Sequence, residues 1–243
     1  MEIRVNLELD EDAEWTAHCP DLPGCTWWAG SKQAAMAMAP EAVSRFCSWL
    51  QAHGEPDSLP AEPYAPACAE ETAGQWTDNH YFADACFATD LCSATREEVG
   101  QVVRWLGYSR TDLLRLVEGL EPRLLCLSTA PPGRICSIES MLDHLAGVEW
   151  WYLANLGLVQ GGRPPEAMKV GGPLGYLHAA RQHVLKTIRD LPEAALSWAR
   201  TPSSGETWTL RKVLRRLVWH ELYHVEGIRN GLREAGVEIA PGA

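Results

Sequence analysis

The hydrophobic period of this chain changes once, near residue 90, and that change divides what the chain can fold into. In residues 2–8, Ile3, Val5 and Leu7 fall on one side and Glu2, Arg4, Asn6 and Glu8 on the other, the two-residue period of a half-buried strand. Residues 15–19 and 25–29 predict two more strands. Between them lies Pro20-Asp21-Leu22-Pro23-Gly24, whose prolines and glycine impose a fixed bend. Ser31 predicts the cap of a helix reaching about His53, with Met38, Ala42, Phe46, Trp49 and Leu50 on its buried side. Pro40 falls near enough to the first turns to be tolerated, with a kink. Residues 54–79, rich in proline and in small or acidic side chains, read as a linker. Residues 80–87 predict one more strand returning to the sheet.

From residue 94 the period is helical. Thr95, followed by Glu97 and Glu98, opens a helix whose apolar positions run from Val99 to Leu120, before Pro122. Ser137 opens a second, reaching about Leu158, and Gly161-Gly162-Arg163-Pro164-Pro165 breaks it. Residues 173–191 predict a third, and Thr207 or Thr209 caps a fourth lasting to about Ala235. Four helices of this length favour an antiparallel bundle. The fold class expected is therefore α+β, a small sheet with one helix followed by a four-helix bundle.

Charge follows the same division. The net charge is −11, and residues 1–90 carry sixteen acids against three Lys/Arg, leaving the remainder slightly basic. An acidic N-terminal third is a poor partner for phosphate backbones, so no nucleic acid is expected. The basic run Arg211-Lys212-Arg215-Arg216 then reads as a solvated helix face. No apolar run reaches membrane-spanning length, and no secretion signal opens the chain, so neither membrane nor export is expected. The eight cysteines show no C-x-x-C spacing and read as mostly buried, reduced thiols of a cytoplasmic protein, with Cys19 and Cys25 near enough to watch as a second site.

The chemistry concentrates in His220-Glu221-Leu222-Tyr223-His224. Two histidines at i and i+4 share a helix face and can reach one metal ion. The letters also read H-E-x-x-H, the zinc-peptidase signature, and Gly227 extends the likeness toward the longer metzincin pattern. Asn230, however, stands where that pattern needs a histidine, and Glu226, Glu234 and Glu238 are the only acids beyond His224. His220 and His224 continue the apolar stripe Leu210, Val213, Leu217 and Ile228, while His144 lies beside Met141, Val148 and Trp151 on the second helical segment. Buried imidazoles need partners, and one metal satisfies three at once. Glu221, about 100° around the helix from His220, is a candidate base or a partner to a ligand. Asp112, Tyr108 and Glu149 are further pocket candidates, whereas His178 and His183, five apart, do not share a face.

Two resemblances accompany this reading. Residues 1–56 resemble the HicB-like antitoxin fold through the strand pair, the Pro20-Asp21-Leu22-Pro23-Gly24-Cys25 turn, the Gly30-Ser31 helix entry and the Gly54-Glu55-Pro56 ending. That family binds small toxin proteins, but no DNA-binding segment follows here, so a reused interaction or dimerisation scaffold without a toxin partner is expected. Residues 94–235 resemble the DinB/YfiT-like metal-binding bundles. The likeness rests on Ser137-Ile138-Glu139-Ser140-Met141-Leu142-Asp143-His144-Leu145-Ala146, on Trp208-Thr209-Leu210-Arg211-Lys212-Val213-Leu214, and on Trp219-His220-Glu221-Leu222-Tyr223-His224. The usual basic-Gly-Gln ending reads Val225-Glu226-Gly227 here.

The second resemblance implies His144, His220 and His224 as ligands of one divalent ion, zinc first, with nickel, iron or manganese as alternatives. Three histidines on zinc leave a place for water or a thiol. The family's thiol-dependent transferases and isomerases imply a low-molecular-weight thiol as cofactor and a small-molecule substrate. Metal-dependent hydrolysis and a non-catalytic metal-binding or interaction module are the alternatives. Both families tend to dimerise, which implies a homodimer. The expected organisation is a HicB-like domain at 1–56, a linker with an extra strand at 57–92, and a DinB-like bundle at 93–236.

Overall fold

The computed structural model describes residues 1–55, 63–77, 81–127 and 137–239. It divides into two compact units, one of residues 1–94 and 196–219, the other of residues 95–195 and 220–243. The bundle expected from the sequence would have kept residues 196–219 with the second unit.

In the first unit, β1 (Glu2–Leu9), β2 (Trp15–His18) and β3 (Thr26–Ala29) form an antiparallel meander. α1 (Lys32–Ala52) follows, its first turn closed by the Ser31 hydroxyl accepting the Ala34 N–H at 3.2 Å. Pro40 lies within this helix. The segment read as a linker contains β4 (Ala65–Ala73), which pairs parallel with β1 and completes a sheet of order β3-β2-β1-β4. The physical reason is its position at the sheet edge. Pro66 lacks an N–H, and an edge strand tolerates that where a central one does not. The returning strand expected at 80–87 is instead a short hairpin, β5 (Gln75–Trp76) with β6 (Phe82–Ala83), outside the four-stranded sheet. Pro56 and His80 lie outside the described residues.

Ile3, Val5 and Leu7 are buried, as the alternation requires, but Asn6 and Glu8 on the opposite face are buried as well. Residues 84–90 and 206–216 supply their surroundings: the Asn6 amide donates to Thr89 Oγ1 at 3.1 Å, and Glu8 Oε1 accepts the Ala85 N–H at 2.5 Å. The basic run is therefore not a solvated face. Lys212 donates to Glu206 at 2.8 Å, Arg215 to Asp90 at 2.8 Å, and Arg216 pairs with Asp84 at 2.5 Å. Gly24 shows why the bend before β3 carries glycine. Its φ is +97°, and a Cβ there would lie 2.4 Å from a methyl of Val218.

The second unit is helical. α2 (Arg96–Val117) opens with a capping box between Thr95 and Glu98, and the short α3 (Pro122–Leu125) follows. α4 (Ile138–Asn155) is capped by Ser137, and α5 (Gly172–Arg189) follows a loop that contains a 3₁₀ turn at Glu166–Met168. The strand pair β7 (Ala199–Arg200) and β8 (Trp208–Thr209) belongs to the first unit and leads into α6 (Leu210–Glu234), whose first turn is capped by Thr209 Oγ1 accepting the Lys212 N–H at 3.1 Å. Residues of α6 up to Trp219 belong to the first unit and those from His220 to the second. The bundle core joins Leu113 and Leu116 of α2, Leu142 and Leu145 of α4, Leu177 of α5, and Val225 and Ile228 of α6. No helix among the described residues is long and apolar enough to cross a membrane.

Candidate metal centre

The Ser137 hydroxyl accepts the Ser140 N–H at 3.1 Å and sets the register of α4. Met141, Leu142, Leu145 and Ala146 are thereby buried, while His144 stands at the exposed border of the stripe. On α6, His220 is buried and His224, one turn on, is half-buried. The three side chains converge. His220 Nε2 lies 3.2 Å from His144 Nε2 and 3.2 Å from His224 Nε2. The Tyr152 ring stands edge-on to His220, with centroids 6.0 Å apart.

A ring nitrogen carries either one hydrogen or one lone pair. His220 Nε2 therefore cannot complete a full hydrogen bond with each of its two neighbours. A cation meets all three lone pairs together. Nitrogens about 2.0–2.1 Å from one tetrahedral ion lie about 3.3–3.4 Å apart, close to the separations observed, so the donor set fits a divalent metal. Protonation is also disfavoured here. Burial, then the charge of Arg163, holds His144 below the usual imidazole range, and burial, then His144, holds His224 down to about 4. Neutral imidazoles are the form that binds metal.

Glu221, next to His220 in sequence, is enclosed in a different network. Arg110 Nε donates to its Oε1 at 2.7 Å, Arg181 Nη2 to its Oε2 at 2.9 Å, and the Ser109 hydroxyl donates to the same Oε2. Arg181 also donates to both oxygens of Glu149, at 2.8 and 2.5 Å, and Arg110 Nη2 to Glu149 Oε1 at 3.0 Å. Burial alone would raise the Glu221 carboxyl, but Arg110 and Arg181 outweigh it and hold the group at about 2. The carboxylate expected as a base thus has both oxygens occupied, and its neighbours stabilise the charged form.

The other candidates separate. Glu149 belongs to this ionic network, Asp112 pairs with Arg115 at 3.5 Å, and Tyr108 is half-buried. His178 is exposed, and His183 stacks on Trp150 at 4.7 Å. Of the seven cysteines described, none forms a disulfide. Cys19, Cys25 and Cys47 are buried, Cys68, Cys92 and Cys126 exposed, so the thiols are not mostly buried. The three histidines are the one grouping of converging metal donors among the described residues, and neither the Cys19–Cys25 pair nor the acids beyond His224 make another.

Sequence reasoning missed Arg110, Arg181 and Ser109. A signal existed: Arg181 and Ser109 occupy buried stripe positions, Arg181 between Leu177 and Val184 and Ser109 between Leu106 and Leu113. A guanidinium at a core position requires a buried acid. A cavity of about 360 Å³ opens beside His144, with Asp143, Gly147, Trp151, Arg163 and Tyr176 in its wall.

Residues 105–228 match the family model of the DinB superfamily, a span of slightly more than half the chain. A solved structure, YfiT from Bacillus subtilis, is described as a probable metal-dependent hydrolase with an unusual four-helix bundle topology. It aligns with 21% identity and a TM-score of 0.48, over 60% of this chain and 92% of that one. No curated protein matches the chain.

Proposed function

The chain belongs to the DinB superfamily, and from that premise we propose that it is a divalent-metal enzyme whose ion is held by His144, His220 and His224. The observation that carries this reading is the approach of three ring nitrogens to one point, those of His144 and His224 each 3.2 Å from His220 Nε2. Zinc is the first candidate, with nickel, iron and manganese as alternatives. When bound, the ion supplies a Lewis acid with coordination places left for a reacting group, whose pKa it lowers.

The chain's own residues bear on which group that is. Glu221, held by Arg110, Arg181 and Ser109, is a positioning residue and not a proton acceptor. A thiol, with a pKa of about 8.5, needs little further lowering and no base, whereas water, at about 15.7, needs far more. The site is therefore read as that of a thiol-dependent transferase or isomerase using a low-molecular-weight thiol and a small-molecule substrate. A metal-dependent hydrolase is the second reading. Asp143, in the wall of the cavity beside His144, favours it as an acid able to accept a proton.

The first unit is read as a HicB-like interaction module without a toxin partner, serving a cytoplasmic homodimer that binds neither nucleic acid nor membrane. Its meander, single helix and parallel fourth strand support the HicB-like part of this reading.

Metal analysis tests the centre. The purified protein should hold one divalent ion per chain, and a metal-free wild type after exposure to zinc, nickel, iron and manganese would sink the idea. Adding cysteine or glutathione to cobalt-substituted protein should then shift its visible spectrum. Silence toward thiols together with turnover of ester or amide substrates would favour the hydrolase, and silence toward all of them a non-catalytic module.

A further inference from the structure

The cavity beside His144 has an unusual floor. Ser140, Asp143, His144, Gly147 and Trp151 project from one face of α4, so the candidate ligand lies on the floor itself. Gly147 stands three residues beyond His144, inside the helix, where glycine is less favourable than alanine. Close packing would account for such a glycine, but a Cβ built there meets no atom within 4 Å. What glycine provides at this position is space, immediately beside the histidine.

The opposite wall is held in place. The loop after α4 is tied by the Trp150 indole N–H, which donates to the carbonyls of Gln160 and Gly161, both at 3.1 Å. Its far end passes so close to α5 that a Cβ on Gly175 would lie 2.2 Å from the Val170 carbonyl oxygen. Between these two ties, Gly162 and Arg163 form the rim. Arg163 carries no hydrogen bond or ion pair to any described residue, although its charge is felt at His144. Arg163 is exposed on the loop, whereas Arg110 and Arg181 within the bundle are both engaged with carboxylates.

We propose that this cavity is the substrate pocket of the metal centre, that it takes a small molecule with a flat apolar body and a carboxylate or comparable anion, and that Arg163 holds the anion while Gly147 leaves room for the body against Trp151. The proposal rests on the three-histidine reading for the end of the molecule that reaches the ion. Anion recognition follows from the charge and fork geometry of guanidinium, and the flat body from the Trp151 indole in the wall. The volume, about 360 Å³, suits a compact ligand, at the lower end of ligand pockets.

The test uses three probes that share a metal-binding group: benzohydroxamate, its 4-carboxy derivative and its 4-aminomethyl derivative. Each is titrated calorimetrically into the full-length protein, with metal content measured on the same samples. The 4-carboxy probe should bind about tenfold more tightly than the neutral one, the value of one charge-assisted contact. R163Q should abolish that preference while leaving the metal in place. G147L should retain the metal and weaken all three probes at least tenfold. Equal affinity for the three probes, a preference for the amine, or unimpaired binding to G147L would each overturn the pocket. A wild type that takes up no metal would instead overturn the three-histidine reading. The ranking of the probes still decides the pocket in that case, because Arg163 and Gly147 act on the carboxylate and the ring.

Discussion

Two polar clusters in the helical unit begin at adjacent residues of α6, His220 and Glu221, and they are built on opposite principles. Around Glu221 the charges are matched: two guanidiniums and a hydroxyl meet two carboxylates, and the donors and acceptors occupy one another. Around His220 three ring nitrogens face one another with no acid among them. The first cluster is complete within the chain. The second gathers three donors within reach of one point, an arrangement compatible with a metal ion. Burial of polar groups thus has two different outcomes one residue apart.

The largest effect expected is on metal. H144A or H224A should reduce the bound ion from one per chain to none by elemental analysis. Their far-ultraviolet circular dichroism should stay near wild type, because these side chains are not part of the apolar core. Unfolding on either substitution would show that the histidines are structural and break the contrast.

R181M should do the reverse. It leaves Glu149 and Glu221 short of their shared buried partner and should cost about 3–5 kcal/mol in urea unfolding. Metal stoichiometry of the fraction that remains folded should be unchanged. A loss below 1 kcal/mol would mean that the network is not the closed unit its distances indicate.

Acid should separate the clusters along the pH axis. His224 is held at about 4, below the 6.5 of a free imidazole. The unfolded chain therefore takes up the proton first, and the metal-free protein should lose stability as pH falls from 6.5 toward 4. Glu221, at about 2 against 4.5, contributes stability that is intact above 4.5 and lost only as pH falls through 4.5 toward 2. Denaturation midpoints of metal-free wild type measured from pH 7 to pH 3 should show the first loss, and H224A should reduce it, leaving the part carried by His144 and His18, which burial also holds below the usual imidazole range. A single loss confined to pH below 4.5 would count against a neutral His224.

The smallest effect is a gain. G147A should stabilise the protein by about 0.5–1 kcal/mol, since nothing in the protein occupies the space its methyl would fill. A loss on thermal denaturation would mean that the glycine serves packing after all.

Much of the fold was legible because it is written locally. Alternation found β1, the proline-glycine bend separated β2 from β3, and the Ser31, Thr95 and Ser137 caps stand where the sequence placed them. The His220–His224 pair is local too, since one helical turn fixes it. β4 was hidden because its proline and small residues carry no apolar alternation, and its pairing with β1 joins Glu2 to Ala65. Lys212, Arg215 and Arg216 read as a solvated face in the sequence because nothing within a few residues of them shows that Asp84, Asp90 and Glu206 pair with them.

The sequence by itself determined where strands and helices begin, and that two histidines share a helix face, because capping and periodicity act within four residues. Tertiary structure decided which third histidine joins them and which acid is taken out of play. His144 lies 76 residues from His220, and Ser109 lies 112 from Glu221. Helix packing carries that information, through the requirement that every buried polar group find a partner.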